Sequence, residues 1–233
     1  MKIVYGATRN YYPLLLPSIT SLLDHNQPDV IFVLAEDDEV PDLPGVCRVI
    51  NISGQQWISP ASPNWHTPYS FMVLMRAAFA YIFPDEERVL SMDVDTIICD
   101  SLEPVWDTDM AGKYIAAVNE SCGSWKPFGE KYYNCGVCLF NLEQIRVDGV
   151  ADEWIRELNT ERYMFPEQDV INMYSLPDKI EDLPVRYNES FCCGITDDPA
   201  VVHFAGIPDW MSNKKMFRRE FFERYAPLVD SLS

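Results

Sequence analysis

Asp93 and Asp95 stand two residues apart at the end of a short apolar run, Arg88-Val89-Leu90-Ser91-Met92-Asp93-Val94-Asp95-Thr96-Ile97-Ile98-Cys99-Asp100. Val89 to Met92 reads as a buried strand. Strand side chains alternate faces, so both carboxylates point the same way if the backbone stays extended. Two carboxylates so placed repel unless something positive lies between them. A divalent cation with a preference for hard oxygen, Mn²⁺ or Mg²⁺, meets that need. A bare pair of this kind also fits a plainer reading, in which one Asp caps the next element and the other is solvated.

Other residues could complete such a site. Val201-Val202-His203-Phe204-Ala205-Gly206 is a short apolar stretch that reads as a strand ending in histidine. His203 is structural or, in a chain that holds a carboxylate pair, a ligand candidate. Arg76 is the lone charge among Phe71, Met72, Leu74, Met75, Ala77, Ala78 and Phe79, and a buried arginine needs an anion. That anion is Asp93, Asp95 or a ligand phosphate, since the planar fork of Arg suits each. Glu167, Gln168 and Asp169 follow Pro166 at a helix start, where capping accounts for one polar residue and not three. Asn134 sits at the entrance of an apolar run, and Gly136 within that run permits close backbone approach.

The elements that must position these residues follow a strand–helix–strand rhythm. Lys2 to Ala7 reads as a strand, and Pro13 opens a helix through Leu23. Val30 to Ala35 and Val46 to Ile50 read as further strands. Gly54 to Pro68 is a loop, and Tyr69 to Phe83 a helix ending before Pro84. After the Asp93–Asp95 stretch come a helical turn at Leu102 to Trp106, a strand at Tyr114 to Val118 and a loop from Ser121 to Lys131. A strand from Tyr132 to Leu142, a helix from Asp148 to Leu158 and a strand from Ile180 to Val185 complete the order, with a basic–aromatic helix from Asn213 to Tyr225. This pattern predicts one α/β domain over 1–233, built on a mixed, mostly parallel sheet. Ligands of such sheets lie beyond the carboxyl ends of strands, where Gly6-Ala7-Thr8-Arg9-Asn10 falls. Gly6 is either a turn glycine or part of that binding loop.

Composition excludes several function classes. The 36 acidic against 18 basic residues give a net charge of −18, which disfavours nucleic acid and anionic lipid as partners. Lys214, Lys215, Arg218 and Arg219 concentrate positive charge near the end; they solvate a helix face or offset a polyphosphate. No apolar run is long enough to span a bilayer, and the opening residues lack the apolar region of a secretory signal. Seven cysteines, most among apolar neighbours, point to a reducing cytoplasm. Cys135-x-x-Cys138 has zinc spacing but lacks a second pair.

Four segments in order resemble the motifs of glycosyltransferase family 8. They are Leu90-Ser91-Met92-Asp93-Val94-Asp95, Tyr133-Asn134-Cys135-Gly136-Val137 through Leu142, Glu167-Gln168-Asp169-Val170-Ile171-Asn172 and His203-Phe204-Ala205-Gly206. The resemblance runs from residue 2 to about 210. It implies a GT-A fold and a retaining transfer that uses Mn²⁺ (or Mg²⁺) and a nucleotide sugar, commonly a UDP-hexose such as UDP-glucose or UDP-galactose, with a hydroxyl group as acceptor. Asp93, Asp95 and His203 then resemble the metal ligands. Gly6, Ala7, Thr8 and Asn10 occupy the loop that holds the nucleoside. Arg76, Met92, Val94 and Gly206 match further donor-site positions, with Gly206 beside the phosphates. Asn134, Glu167 and Gln168 match the residues lining the donor sugar, Gln168 beneath the reacting carbon.

Thr8 stands where the family usually has an acidic residue, so another group must receive the hydrogen bond from uracil. Ile207-Pro208-Asp209-Trp210 lacks the phosphate-binding lysine that usually precedes Pro-Trp, a role open to Lys214 or Lys215 or left to metal and Arg76. No basic–aromatic extension follows residue 233, which disfavours a lipid-linked acceptor. Two rival readings are a phosphatase of the haloacid-dehalogenase type and a non-catalytic nucleotide-sugar-binding relic. The phosphatase reading uses Asp93-Val94-Asp95-Thr96 as nucleophile motif and Asp197-Asp198 as its later acidic pair, but leaves Asn134, Gln168 and His203 without a role.

Overall fold

Strands β1 (Lys2–Ala7) and β2 (Val30–Ala35) run in parallel as interior strands of a seven-stranded sheet, and every side chain of β2 is buried. That is the expected state of a strand whose residues are all apolar and whose two faces are both covered. The computed structural model of the protein describes residues 1–121, 131–205 and 217–230. Strands β3 (Cys47–Asn51), β4 (Arg88–Met92), β5 (Thr96–Ile98), β6 (Ile115–Asn119), β7 (Tyr133–Asn141), β8 (Ile180–Asp182) and β9 (Val201–His203) follow. The sheet order is β3-β2-β1-β4-β7-β6-β8, while β5 and β9 pair as a separate antiparallel ribbon. Strands β3, β2, β1 and β4 are parallel, and β7 runs antiparallel to both β4 and β6. The sheet is therefore mixed and mostly parallel, as the alternating pattern predicts.

Helices α1 (Tyr12–His25), α2 (Phe79–Ile82), α3 (Glu103–Trp106), α4 (Leu142–Asp148), α5 (Val150–Thr160), α6 (Pro166–Ser175), α7 (Arg219–Glu223) and α8 (Pro227–Asp230) complete the described secondary structure with three 3₁₀ segments. Two apolar layers sandwich the sheet. One joins Leu15, Ile19 and Leu22 of α1 to Ile97 of β5, Val202 of β9 and Phe222 of α7. The other joins Leu74 and Met75 to Trp154 of α5 and Ile171 of α6. Among the described residues no helix is long and apolar enough to cross a membrane.

Three elements differ from expectation. The helix expected over Tyr69 to Phe83 is a 3₁₀ segment, Phe71–Ala78, that passes into α2. The segment is buried on nearly every side, so its apolar periodicity did not distinguish the two windings. The helix expected at Asp148 to Leu158 is α5, which starts after Gly149 in the left-handed region (φ 68°), and a further helix that was not expected, α4, precedes it. Asn141 caps α4 by accepting the Gln144 N–H (3.1 Å), which ends β7 one residue early. The strand expected to reach Val185 stops at Asp182, before Pro184 and a 3₁₀ turn at Val185–Tyr187. Most of the loop expected over 121–131 lies outside the described residues, as do Gly206, Lys214 and Lys215. Of the expected tail helix, the described part holds the short α7, and α8 lies beyond its expected end.

Candidate metal and sugar-nucleotide site

Asp93 follows the last residue of β4, and its N–H donates to the Gly136 carbonyl (2.7 Å). The chain then turns at Val94 and Asp95 before β5 begins at Thr96. The two carboxylates therefore converge through a turn and not through the alternation of an extended strand. Thr96 holds the turn by donating its hydroxyl to the Asp93 carbonyl (2.7 Å). In the β5–β9 ribbon Thr96 stands opposite His203, and the Phe204 N–H donates to the Asp95 carbonyl (2.9 Å). That register delivers the imidazole to the turn. His203 Nε2 lies 3.3 Å from Asp95 Oδ1 and 3.5 Å from Asp93 Oδ2.

The donor atoms of Asp93, Asp95 and His203 lie within 4.8 Å of one another. His203 is buried, whereas the carboxylate side chains are 29% and 26% exposed and open into a cavity of about 210 Å³. Two carboxylates and an imidazole suit Mn²⁺ or Mg²⁺ and leave coordination positions on the cavity side. Without a cation, burial opposes the imidazolium, but Asp95 and Asp93 outweigh it and hold the His203 pKa up at about 10. Burial likewise opposes the Asp93 carboxylate, yet Arg76 and His203 hold its pKa down at about 2. The same cavity is lined by four carboxylates (Asp93, Asp95, Glu120, Glu167) against Arg76 and His203. That imbalance is a second reason for a cation to bind there.

Arg76 is buried and engaged on three sides. Its Nη1 donates to Glu167 (2.7 Å), its Nε to the Ser91 hydroxyl (3.2 Å) and its Nη2 to Asp93. Of the anions considered from sequence, the structure pairs it with Asp93 and adds Glu167. Burial opposes the charge of Arg76, but these two carboxylates outweigh it and raise its pKa. Burial pushes the Glu167 carboxyl up, with Arg76 offsetting part of the rise.

Asn134 and Gln168 also line the cavity, joined through Glu120. Asn134 Nδ2 donates to Glu120 Oε1 (2.8 Å), and Gln168 Nε2 donates to the same oxygen (3.2 Å). Gln168 Oε1 accepts the Cys135 N–H (3.0 Å), which anchors the amide to β7. The neighbouring Asp169 serves the backbone, accepting the N–H groups of Met164 and Phe165 (3.1 and 3.0 Å) and the Tyr132 hydroxyl (2.5 Å). Asn172 likewise bridges the Tyr133 N–H and carbonyl. Two of the polar residues at the start of α6 thus face the cavity while Asp169 and Asn172 fix the backbone.

The first loop lies at the same edge of the sheet but does not line this cavity. A Cβ on Gly6 would fall 2.6 Å from Met72 Cγ, so the glycine admits the 3₁₀ segment against β1. Ala7 is buried, Asn10 exposed, and Thr8 stands within 3.5 Å of the Ser70 hydroxyl. Arg9 ties the loop to the acidic turn after β2: its N–H donates to Glu36 (2.5 Å), and its guanidinium pairs with Asp37 and Glu39 (both 2.8 Å). Met92 and Val94 are buried in the apolar layer with α1. Glu120 and Asn188 are site residues that the sequence reading does not find, whereas Gly136, expected to permit close backbone approach, does so against His203. Glu120 follows the carboxyl end of β6, a position that could have marked it. Asn188 sits in a polar run, Asn188-Glu189-Ser190, that is wholly buried.

The profile described as Glycosyl transferase family 8 matches residues 2–210. Among curated relatives, a probable glycosyl transferase of Streptococcus gordonii is 28% identical over 127 residues, covering 54% of this chain and 18% of that protein. General stress protein A of Bacillus subtilis (strain 168) is 25% identical over 166 residues, covering 58% of this chain and 57% of its own. The chain thus spans less than three-fifths of the length of either. Among solved structures, the galactosyltransferase LgtC, in complex with donor and acceptor sugar analogs, superposes with a TM-score of 0.74 at 22% identity over 99% of this chain and 96% of its own. Mouse xyloside xylosyltransferase 1 superposes with a TM-score of 0.64 at 16% identity, covering 88% and 98%. The likeness to LgtC bears out the expected GT-A fold, and with the profile match over 2–210 the chain belongs to glycosyl transferase family 8.

Proposed function

We propose that this protein is a metal-dependent, retaining glycosyltransferase that moves a hexose from a nucleotide-sugar donor, UDP-glucose or UDP-galactose, to an acceptor hydroxyl. The observation that carries this reading is the convergence of Asp93, Asp95 and His203 in one cavity with Asn134 and Gln168. The family membership and the galactosyltransferase neighbour support the reaction class. Bound by the triad, Mn²⁺ would supply positive charge against the diphosphate that departs from the sugar. Arg76 holds Asp93 ionised and in place beside it. Gln168, pinned by the Cys135 N–H and by Glu120, is a rigid polar floor for a sugar.

Retention is supported by how the carboxylates are used. An inverting transfer needs a general base on the face opposite the leaving group. Glu167 is bound to Arg76, and Glu120 holds two amide N–H groups. With neither carboxylate free, proton transfer from the acceptor to the leaving phosphate is the simpler route. A cytoplasmic setting is supported by the cysteines: among the described residues Cys47, Cys99, Cys135, Cys138, Cys192 and Cys193 are all free thiols.

A thermal-shift panel of UDP-, GDP- and CMP-sugars with Mn²⁺, followed by NMR of the anomeric proton of any product, tests the reading. A dose-dependent rise with a UDP-hexose and an α-linked product are expected. A rise with GDP-sugars alone overturns the donor, and a β-linked product from an α-linked donor overturns retention.

A further inference from the structure

A chain of side-chain amides runs from the backbone of β7 to the imidazole of the triad. The Gly136 N–H donates to Asn134 Oδ1 (2.9 Å), and Asn188 Nδ2 donates to the same oxygen (2.8 Å). Asn188 Oδ1 lies 2.8 Å from His203 Nδ1. Gly136, Asn134, Asn188 and His203 meet around the point where β7 passes beneath the ring; Asn188 has no exposure to solvent.

The direction of every bond in this chain follows from its first member. A backbone N–H can only donate, so the Asn134 amide must present its oxygen to Gly136. Its NH₂ then faces the Glu120 carboxylate, an acceptor, which agrees. Since Asn134 Oδ1 accepts, Asn188 must turn its NH₂ to Asn134 and its oxygen to His203. An oxygen facing the ring requires a proton on Nδ1. Flipping either amide would set two oxygens or two NH₂ groups face to face in a buried place. We propose that Asn188, oriented through Asn134 by the Gly136 N–H, fixes His203 as the Nδ1–H tautomer and so turns the Nε2 lone pair to the metal position. Asn188 is then a positioning residue for the metal centre, and the inference rests on the metal role of the triad.

The consequence is specific to the ring's chemistry. A neutral histidine has one lone pair to offer, and the partner of the other nitrogen decides which atom carries it. Asn134, expected to line the donor sugar, thus also serves the metal ligand, and Glu120 joins it to Gln168. The metal and sugar positions share one hydrogen-bonded frame.

Two measurements on the full chain test this. The chain has three histidines, so His203→Gln assigns the His203 ring signals in ¹⁵N spectra of the protein loaded with diamagnetic Mg²⁺. A proton on Nδ1 and none on Nε2 is expected; a proton on Nε2 with Nδ1 bare overturns the proposal. Mn²⁺ affinity, read from the EPR signal of free Mn²⁺, should fall roughly 10- to 100-fold in Asn188→Leu, the range of second partners of metal ligands. Asn188→Asp keeps an oxygen toward Nδ1 and, by carrying a proton on its other oxygen, can still donate to Asn134 Oδ1, so it should recover part of that loss. Equal losses in both variants would mean that Asn188 acts only in packing, and would reject the positioning role. If His203→Gln itself leaves Mn²⁺ affinity unchanged, the metal reading of the triad fails, which separates that failure from failure of the role of Asn188.

Discussion

Gly136 and His203 compete for the same space: a Cβ built on Gly136 falls 2.1 Å from His203 Cε1 and 2.7 Å from Nδ1. Both neighbours are held by backbone pairing, Gly136 in β7 and His203 in β9, so neither yields freely. Gly136→Ala should therefore displace the imidazole from the carboxylate pair. The expected outcome is a Mn²⁺ affinity lowered on the order of 10- to 100-fold, with an overpacking cost of about 1–3 kcal/mol in urea unfolding. Wild-type Mn²⁺ affinity in this variant would show that the ring is not held where the structure has it.

Arg76 makes a different prediction, because its two carboxylate partners are already present in the protein. Arg76→Met leaves Glu167 buried and uncompensated beside Asp93 and should cost about 3–5 kcal/mol of stability. Arg76→Lys should recover only part, since an ammonium cannot reach Asp93, Glu167 and Ser91 in one plane. Adding Glu167→Gln to Arg76→Met removes one of the stranded charges and should restore stability. Urea midpoints for the three variants decide it; an Arg76→Met protein as stable as wild type would contradict the paired arrangement.

How far the site is legible in sequence follows from the range of its contacts. The strands β1, β2 and β4 read directly because strands covered on both faces are rich in apolar residues, without a break in β2. Asp93, Asp95, His203 and Gln168 read because their residue types and order are specific in combination. The turn at Val94 and Asp95 does not read, since apolar residues flank it on both sides and continue the strand pattern. Nor do Glu120 and Asn188, whose roles depend on partners 14, 48 and 15 residues away in the chain, across different elements. The reversal of β7 between β4 and β6 is likewise a matter of which strands meet, which local pattern does not carry.

The metal-free triad carries a pH dependence with a definite sign. The folded His203 pKa of about 10 lies above its ordinary 6.5, because Asp95 and Asp93 outweigh the opposing effect of burial. The stabilisation this supplies is complete below about pH 6.5 and is lost as pH rises through 10. In EDTA, wild type should therefore exceed His203→Gln in stability most at pH 6, with the margin shrinking towards pH 10. A margin that grows over that range would contradict the ion pairing. The proton must leave when a cation takes its place, so Mn²⁺ binding at pH 7 should release a proton, measurable by titration in buffers of different ionisation enthalpy.

Calorimetric titration of UDP into the protein, with Mn²⁺ and again in EDTA, tests most directly whether Asp93, Asp95 and His203 hold the metal that receives a nucleoside diphosphate. Binding with Mn²⁺, its loss in EDTA and its loss in Asp95→Ala with Mn²⁺ are predicted. Equal UDP affinity in Mn²⁺ and EDTA, or an Asp95→Ala protein that binds UDP as wild type does, would contradict the account.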